Sequence, residues 1–227
     1  MVNLFDFMFF VYLILPVMNL FIQEIHLAKG QWSTLSQTHF RYATDGREAP
    51  QPTSVKLKFD EDYLYVNFEC LQNPFWHENT YKQHNTEMWN QEVFELFIAE
   101  GDAVPTHYLE LEINPNNALF VGWIDNPTKE TPRKLTFVPY ENAGIQHEVK
   151  TEQQHWSGTL QIPWKLIGGK KEVYRLNFYR IVSLQSHPDP DWKCTPADCA
   201  FMCWSPSMSG ATPRFHRPDA FGKLILK

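Results

Sequence analysis

Period-two alternation recurs along this chain, and it constrains the fold more than any other feature. Residues 55–59 and 63–70 each alternate apolar and polar side chains, with Asp60-Glu61-Asp62 turning between them, so they read as a hairpin. In residues 108–114, Leu109, Leu111 and Ile113 face one way while Tyr108, Glu110, Glu112 and Asn114 face the other. Residues 173–181 alternate once more. Further strands are expected at 92–99, 118–124, 135–138, 147–150, 156–162 and 221–226, and one helical turn at 163–167 ended by Gly168. Residues 71–87 and 184–215, rich in polar residues and proline, read as loops. No amphipathic helix and no 20–50-residue repeat stands out. These patterns predict an all-β fold, a two-sheet antiparallel β-sandwich of at least eight strands with short helical turns.

The 227 residues fit one such domain, expected over 24–227, and 43% hydrophobic residues are enough for a sizeable core. The net charge of −6, with Lys and Arg scattered, argues against nucleic acid or an anionic membrane surface as partner. The chain reads as a monomer. Residues 7–22 form an apolar run broken only by Asn19, preceded by Asp6 and by no Lys or Arg. Three readings stay open for residues 1–23: an atypical secretory leader, a membrane anchor, or a mis-assigned start with Met18 the true one. Export or anchoring follows from the first two, and a cytoplasmic location from the third.

Cys70 falls in a strand pattern and reads as a core residue. Cys194, Cys199 and Cys203 follow a C-x4-C-x3-C spacing. That spacing permits a local disulfide in an exported protein, free thiols otherwise, or a zinc site completed by His187 or His216.

The segment Met88-Trp89-Asn90-Gln91-Glu92-Val93-Phe94-Glu95-Leu96-Phe97-Ile98 carries the chemistry. A tryptophan precedes a strand, and a carboxylate follows six residues later inside it. Glu95 shares a face with Val93 and Phe97, and a carboxylate among apolar side chains is costly unless paired or met by a polar ligand. An aromatic plate beside a fixed acceptor suits a sugar ring, with its apolar C–H faces and rim of hydroxyls.

Six ordered blocks resemble carbohydrate-binding module family 9 and its DOMON-like relatives. They are Phe59-Asp60-Glu61-Asp62-Tyr63-Leu64-Tyr65-Val66, the segment from Trp89 to Ile98, and the strand from Tyr108 to Pro115. The segment from Trp156 to Leu166, the strand from Leu176 to Arg180, and the tail (Trp204-Ser205-Pro206, then Phe215 to Gly222) complete the order. The chain departs from the pattern at Glu92, Phe94 and Gln161, and only the last removes a carboxylate. The resemblance implies a β-sandwich that binds a mono- or oligosaccharide without catalysis, in support of carbohydrate catabolism by a glycoside hydrolase, here a separate chain. It implies Trp89 as one ring wall and Glu95 as a hydroxyl acceptor. For the second wall Trp204 is the first choice and Trp123 the second. Arg180 is a candidate donor, or else an internal partner of Glu95 or Glu110. Asn114 and His216 are candidates to line the same site. No cofactor is required; calcium stays open, since Asp60-Glu61-Asp62 and Asp189 with Asp191 offer oxygens without a dedicated loop spacing.

Two rival classes remain. A glycosidase would draw its carboxylates from Glu95, Glu110 and Glu112, although such strand neighbours are expected side by side, about 7 Å apart. A haem-binding redox domain would draw axial ligands from Met88, Met202, Met208 and His216.

Overall fold

The computed structural model describes residues 22–36 and 39–227. The segment through residue 21, and with it the choice between leader, anchor and later start, lies outside the described residues. Fourteen strands are present among the described residues: β1 (Glu24–Leu27), β2 (Ser33–Thr34), β3 (Arg41–Tyr42), β4 (Thr53–Phe59), β5 (Tyr63–Cys70), β6 (Val93–Glu100), β7 (His107–Ile113), β8 (Leu119–Asp125), β9 (Lys134–Phe137), β10 (Gln146–Glu152), β11 (His155–Pro163), β12 (Val173–Ser183), β13 (Cys199–Cys203) and β14 (Gly222–Leu226). The helical parts are single turns, one of them Trp164–Ile167, closed by Gly168 in the left-handed region as the sequence predicts. Among the described residues no helix is long and apolar enough to cross a membrane.

Two sheets pack face to face. The larger runs β1-β14-β12-β6-β7-β8-β9, and the smaller runs β10-β11-β5-β4-β2. The eleven-residue β12 is long enough to hold two partners end to end on one edge, β14 along its first half and β13 along its second. β3 then pairs with β13. Pairing is antiparallel except where β1 runs parallel to β14. β13 corrects the expectation of a structureless loop over 184–215: Cys199–Cys203 is a short apolar run paired to β12.

Strand parity explains the core. Phe94, Leu96 and Ile98 of β6 and Leu109, Leu111 and Ile113 of β7 point inward with Val66 and Phe68 of β5. Phe68 stacks on Phe94 with centroids 4.0 Å apart, and Trp156 meets Phe68 edge-on at 5.3 Å. The hairpin turn is held by Asp60, whose Oδ1 accepts the backbone N–H groups of Asp62 and Tyr63, both at 2.9 Å. Glu61 is ion-paired with Lys29 and Lys170, so the carboxylates of this turn already serve local contacts.

Arg180 is fully buried on the inward face, in register with Phe94. Its guanidinium donates to the carbonyls of Pro52 and Leu71, both at 3.0 Å, and so ties β12 to the opposite sheet. The same parity corrects the expected pairing with Glu95 or Glu110, which point out of the other face. Glu92 is also buried here and accepts from the indole of Trp156 at 2.8 Å and from the amide of Asn73. Burial pushes its carboxyl up to about 7, although Arg180 and the Trp156 bond pull the other way.

Candidate functional site

The outer face of the larger sheet is covered as well, which is why β6 and β12 are buried on both sides. Val93 of β6, Phe120 of β8 and Ile181 of β12 pack on this face with Met88, Trp192 and Cys199. A second cluster gathers Phe97, Tyr108, Ile124, Tyr179 and Phe221. An open cleft of about 650 Å³ is lined by residues of both clusters, among them Phe97, Phe120 and Ile181.

Trp89 lines this cleft from a single helical turn, Met88–Asn90, at the end of the long polar loop. The loop owes its position to buried amides. Asn79 Nδ2 donates to the Glu92 carbonyl at 2.7 Å, and Gln91 accepts the Thr80 N–H at 2.7 Å and donates to the Trp192 carbonyl at 3.0 Å. Trp89 is left partly buried, edge-on to Phe120 with centroids 5.4 Å apart.

Glu95 and Glu112 are direct cross-strand partners, and Glu110 stands two residues before Glu112, opposite Phe97. Glu95 and Glu110 line the cleft. The three side chains are 2%, 6% and 0% exposed for Glu95, Glu110 and Glu112. Their tips converge, one oxygen of each lying within 4.8 Å of the others, which corrects the expectation of carboxylates standing about 7 Å apart. Burial and then repulsion from Glu110 hold the Glu95 carboxyl well above the usual range. Burial raises Glu110 to about 7. Glu112 is pushed well above its ordinary value by burial, then by Glu95 and Glu110.

His216 lines the cleft too. Its Nδ1 lies 2.9 Å from the Tyr108 hydroxyl, which accepts from Asn126 Nδ2 at 3.3 Å. The hydroxyl has lone pairs for both neighbours, so the direction of its bond to Nδ1 follows the imidazole tautomer. Burial lowers the imidazole to about 4, so it is neutral at neutral pH. Phe215, next in the chain, lines the cleft while stacked on Tyr179 at 4.4 Å.

The other sequence candidates lie elsewhere. Trp204 is 1% exposed in the core between the sheets, because strand parity after β13 points Ala200, Met202 and Trp204 inward. It packs edge-on to Phe178 and over Gly222, where a Cβ would sit 2.5 Å from the indole. Trp123 follows Leu119 and Val121 onto the inward face and stacks on His107 at 4.6 Å, at the sandwich edge. Asn114 is fully buried and fully engaged. Its amide donates to the Tyr81 carbonyl at 2.8 Å and to Asn79, and its oxygen accepts the backbone N–H groups of Asn116 and Ala118. It anchors the Trp89 loop to the β7–β8 turn. Arg180 is the inter-sheet tie described above. Trp89, Glu95 and His216 are therefore brought together, and Trp204, Trp123, Asn114 and Arg180 are not. Phe215 and Glu110 are among the cleft residues that the sequence reading did not assign to the sugar site; the first stands beside His216 in the tail motif, and the second shares the face of Glu112.

Cys194 and Cys199 form a disulfide, and Cys203 and Cys70 are buried thiols, which corrects the zinc reading of the C-x4-C-x3-C spacing. Met88 and Met202 are fully buried in packed clusters and do not line the cleft that holds His216.

The buried acids and His216 make stability depend on pH with opposite signs. Glu92, Glu95, Glu110 and Glu112 titrate higher in the folded than in the unfolded chain, so their contribution is complete at low pH and is lost as pH rises above the ordinary carboxylate range, through about 7 for Glu92 and Glu110. His216 titrates lower when folded, so its contribution is lost as pH falls from the ordinary imidazole value through about 4. Thermal unfolding midpoints of chelator-treated protein should therefore peak near about pH 5–6 and decline toward pH 8. A midpoint that climbs steadily to pH 8 would contradict this assignment of the carboxylates.

No family model matches the chain. A protein of Arthroderma benhamiae named "Extracellular protein" is 30% identical over 161 residues, taking in 64% of this chain and 70% of that one. Among solved structures, a candidate carbohydrate-binding protein from Bacteroides uniformis superposes with a TM-score of 0.64 at 13% identity, over 91% of this chain and all of that one. A family 9 carbohydrate-binding module from Caldicellulosiruptor kristjanssonii in complex with glucose gives 0.55 at 14% identity, over 90% of this chain and 95% of that one. The same organism's family 9 module in complex with cellotriose gives 0.53 at 14% identity, over 90% and 93%. The chain belongs to the family of the Arthroderma extracellular protein, and its fold is that of the family 9 carbohydrate-binding modules.

Proposed function

We propose that the cleft binds a mono- or oligosaccharide without catalysing its breakdown. The observation that carries this reading is the pairing of a partly exposed indole, Trp89, with buried acceptors, Glu95 and Glu110, in one open cleft. Trp89 supplies a flat apolar plate for the C–H face of a ring, and Phe215 is the second aromatic, in place of Trp204. Glu95 and Glu110 accept from ring hydroxyls, and His216 adds a polar ring to the lining. The glucose and cellotriose complexes of the structural neighbours support this choice of ligand class. The convergence of the three carboxylates on one spot supports binding over hydrolysis, because an acid and a nucleophile must flank the scissile bond from two sides.

The protein acts outside the cell in this reading, beside a separate glycoside hydrolase. The Cys194–Cys199 disulfide, the name of the Arthroderma relative and the apolar run at residues 7–22 support an exported chain. Calorimetric titration with a panel of neutral mono- and oligosaccharides is expected to find saturable binding, with a Kd on the order of micromolar to millimolar. No binding across the panel would leave the fold standing and remove the function.

A further inference from the structure

The three glutamates under the cleft raise a question that sugar binding alone does not answer. Glu95 and Glu110 reach the cleft, but Glu112 is fully buried and does not line it, so a ring hydroxyl in the cleft has no direct path to it. Both oxygens of Glu112 and Oε1 of Glu95 have no hydrogen-bond partner among the described residues. Beyond the cost of burial, the charges that act on the three are one another; Glu110 and Glu112 interact directly, and the backbone N–H of Trp89 favours the charged form of Glu112. His216 is neutral, and Arg214, at the rim, is exposed. Three buried carboxyls so close together are costly unless they hold protons or meet a cation, and two strands bring them together.

Geometry says what would satisfy them. Three oxygens within 4.8 Å of one another leave a point within about 2.8 Å of all three, close to the calcium–oxygen range of about 2.3–2.6 Å. An ammonium carried on a sugar ring would meet Glu95 and Glu110 from the cleft side, whereas a small spherical ion can also reach Glu112. The donor set is entirely carboxylate oxygen, which suits a hard divalent cation.

We propose that Glu95, Glu110 and Glu112 hold a calcium ion in the floor of the cleft, with its cleft-facing coordination positions taken by water or by vicinal hydroxyls of the bound sugar. The last clause rests on the sugar reading above; the cation site itself does not. The acidic turns that the sequence offered for calcium, Asp60-Glu61-Asp62 and Asp189 with Asp191, are elsewhere in the chain, so this site is a separate one.

The test uses the full chain stripped with a chelator and dialysed, then titrated with calcium chloride alone at neutral pH. Calcium should bind saturably and raise the thermal midpoint by several degrees, as expected when a ligand binds only the folded state. Glu112→Gln, which keeps the shape of a residue outside the cleft lining, should weaken that binding at least tenfold; Glu110→Gln serves if the first variant fails to fold. The proposal is overturned if calcium does not bind the stripped protein, or if both variants bind calcium as tightly as the parent. It is also overturned if a protonated amino sugar binds the stripped protein and calcium does not. Glutamate-dependent calcium binding with no sugar bound would keep the cation site and remove the sugar reading. Sugar binding with no cation uptake would do the reverse.

Discussion

Trp204→Ala is expected to lower the unfolding free energy by about 3–5 kcal/mol, the range for deleting a buried aromatic from a packed core. Trp204 is 1% exposed, lies between the sheets against Phe178, and rests on the backbone at Gly222. Removing the indole leaves a void where β12, β13 and β14 meet, and these strands join the centre of the larger sheet to its edge. Equilibrium denaturation measures the loss directly. A change under about 1 kcal/mol would mean that the side chain is not the core plug described here. The sugar site should survive in the fraction that remains folded, because Trp204 does not line the cleft.

Trp89→Ala should show the opposite profile. Trp89 is only partly buried and sits at the end of a loop held by the amides of Asn79, Gln91 and Asn114, none of which depends on its indole. The variant should lose no more than about 1–2 kcal/mol of stability, while its sugar affinity falls at least tenfold, equivalent to about 1.4 kcal/mol. For a ligand bound in the millimolar range, that loss takes binding below detection. Denaturation and calorimetric titration of the same preparation separate the two quantities. An unfolded Trp89→Ala chain would assign Trp89 to the core, and an unchanged affinity would remove it from the site.

The contrast between these tryptophans shows what the sequence revealed and what it hid. Strands whose two faces differ in polarity, such as β4, β5 and β7, are visible as alternation, and their boundaries match within a residue or two. β13 was hidden because Ala200-Phe201-Met202-Cys203-Trp204 is apolar throughout and lies among prolines. With that strand unseen, the parity that turns Trp204 inward could not be applied. The two-residue strands β2 and β3 depend on pairing with distant partners and leave no periodic trace, and the alternation of β1 lasts only four residues.

The site was half legible for a related reason. Trp89 and Glu95 stand on one short motif, and His216 on the tail motif, so local spacing was enough to find them. The alternation of residues 108–114 put Glu110 and Glu112 on one face, but it could not show that loops bury that face. Burial turns three ordinary strand glutamates into a cluster with raised carboxyls, and it depends on where residues 184–198 and 205–221 lie, which no periodicity encodes. Asn114 and Arg180 were misassigned because a polar side chain beside a candidate site looks the same in sequence whether it faces a ligand or ties two parts of the chain together.

Titration with a sugar that binds, followed through the eight indole N–H resonances of the folded protein by nuclear magnetic resonance, shows directly which tryptophan meets the ligand. The Trp89 signal should shift progressively and saturate, while those of Trp204, Trp156 and Trp164 in the core and Trp123 at the sandwich edge stay in place. A titration that shifts Trp123 and leaves Trp89 unmoved would place the sugar at the sandwich edge and not in the cleft.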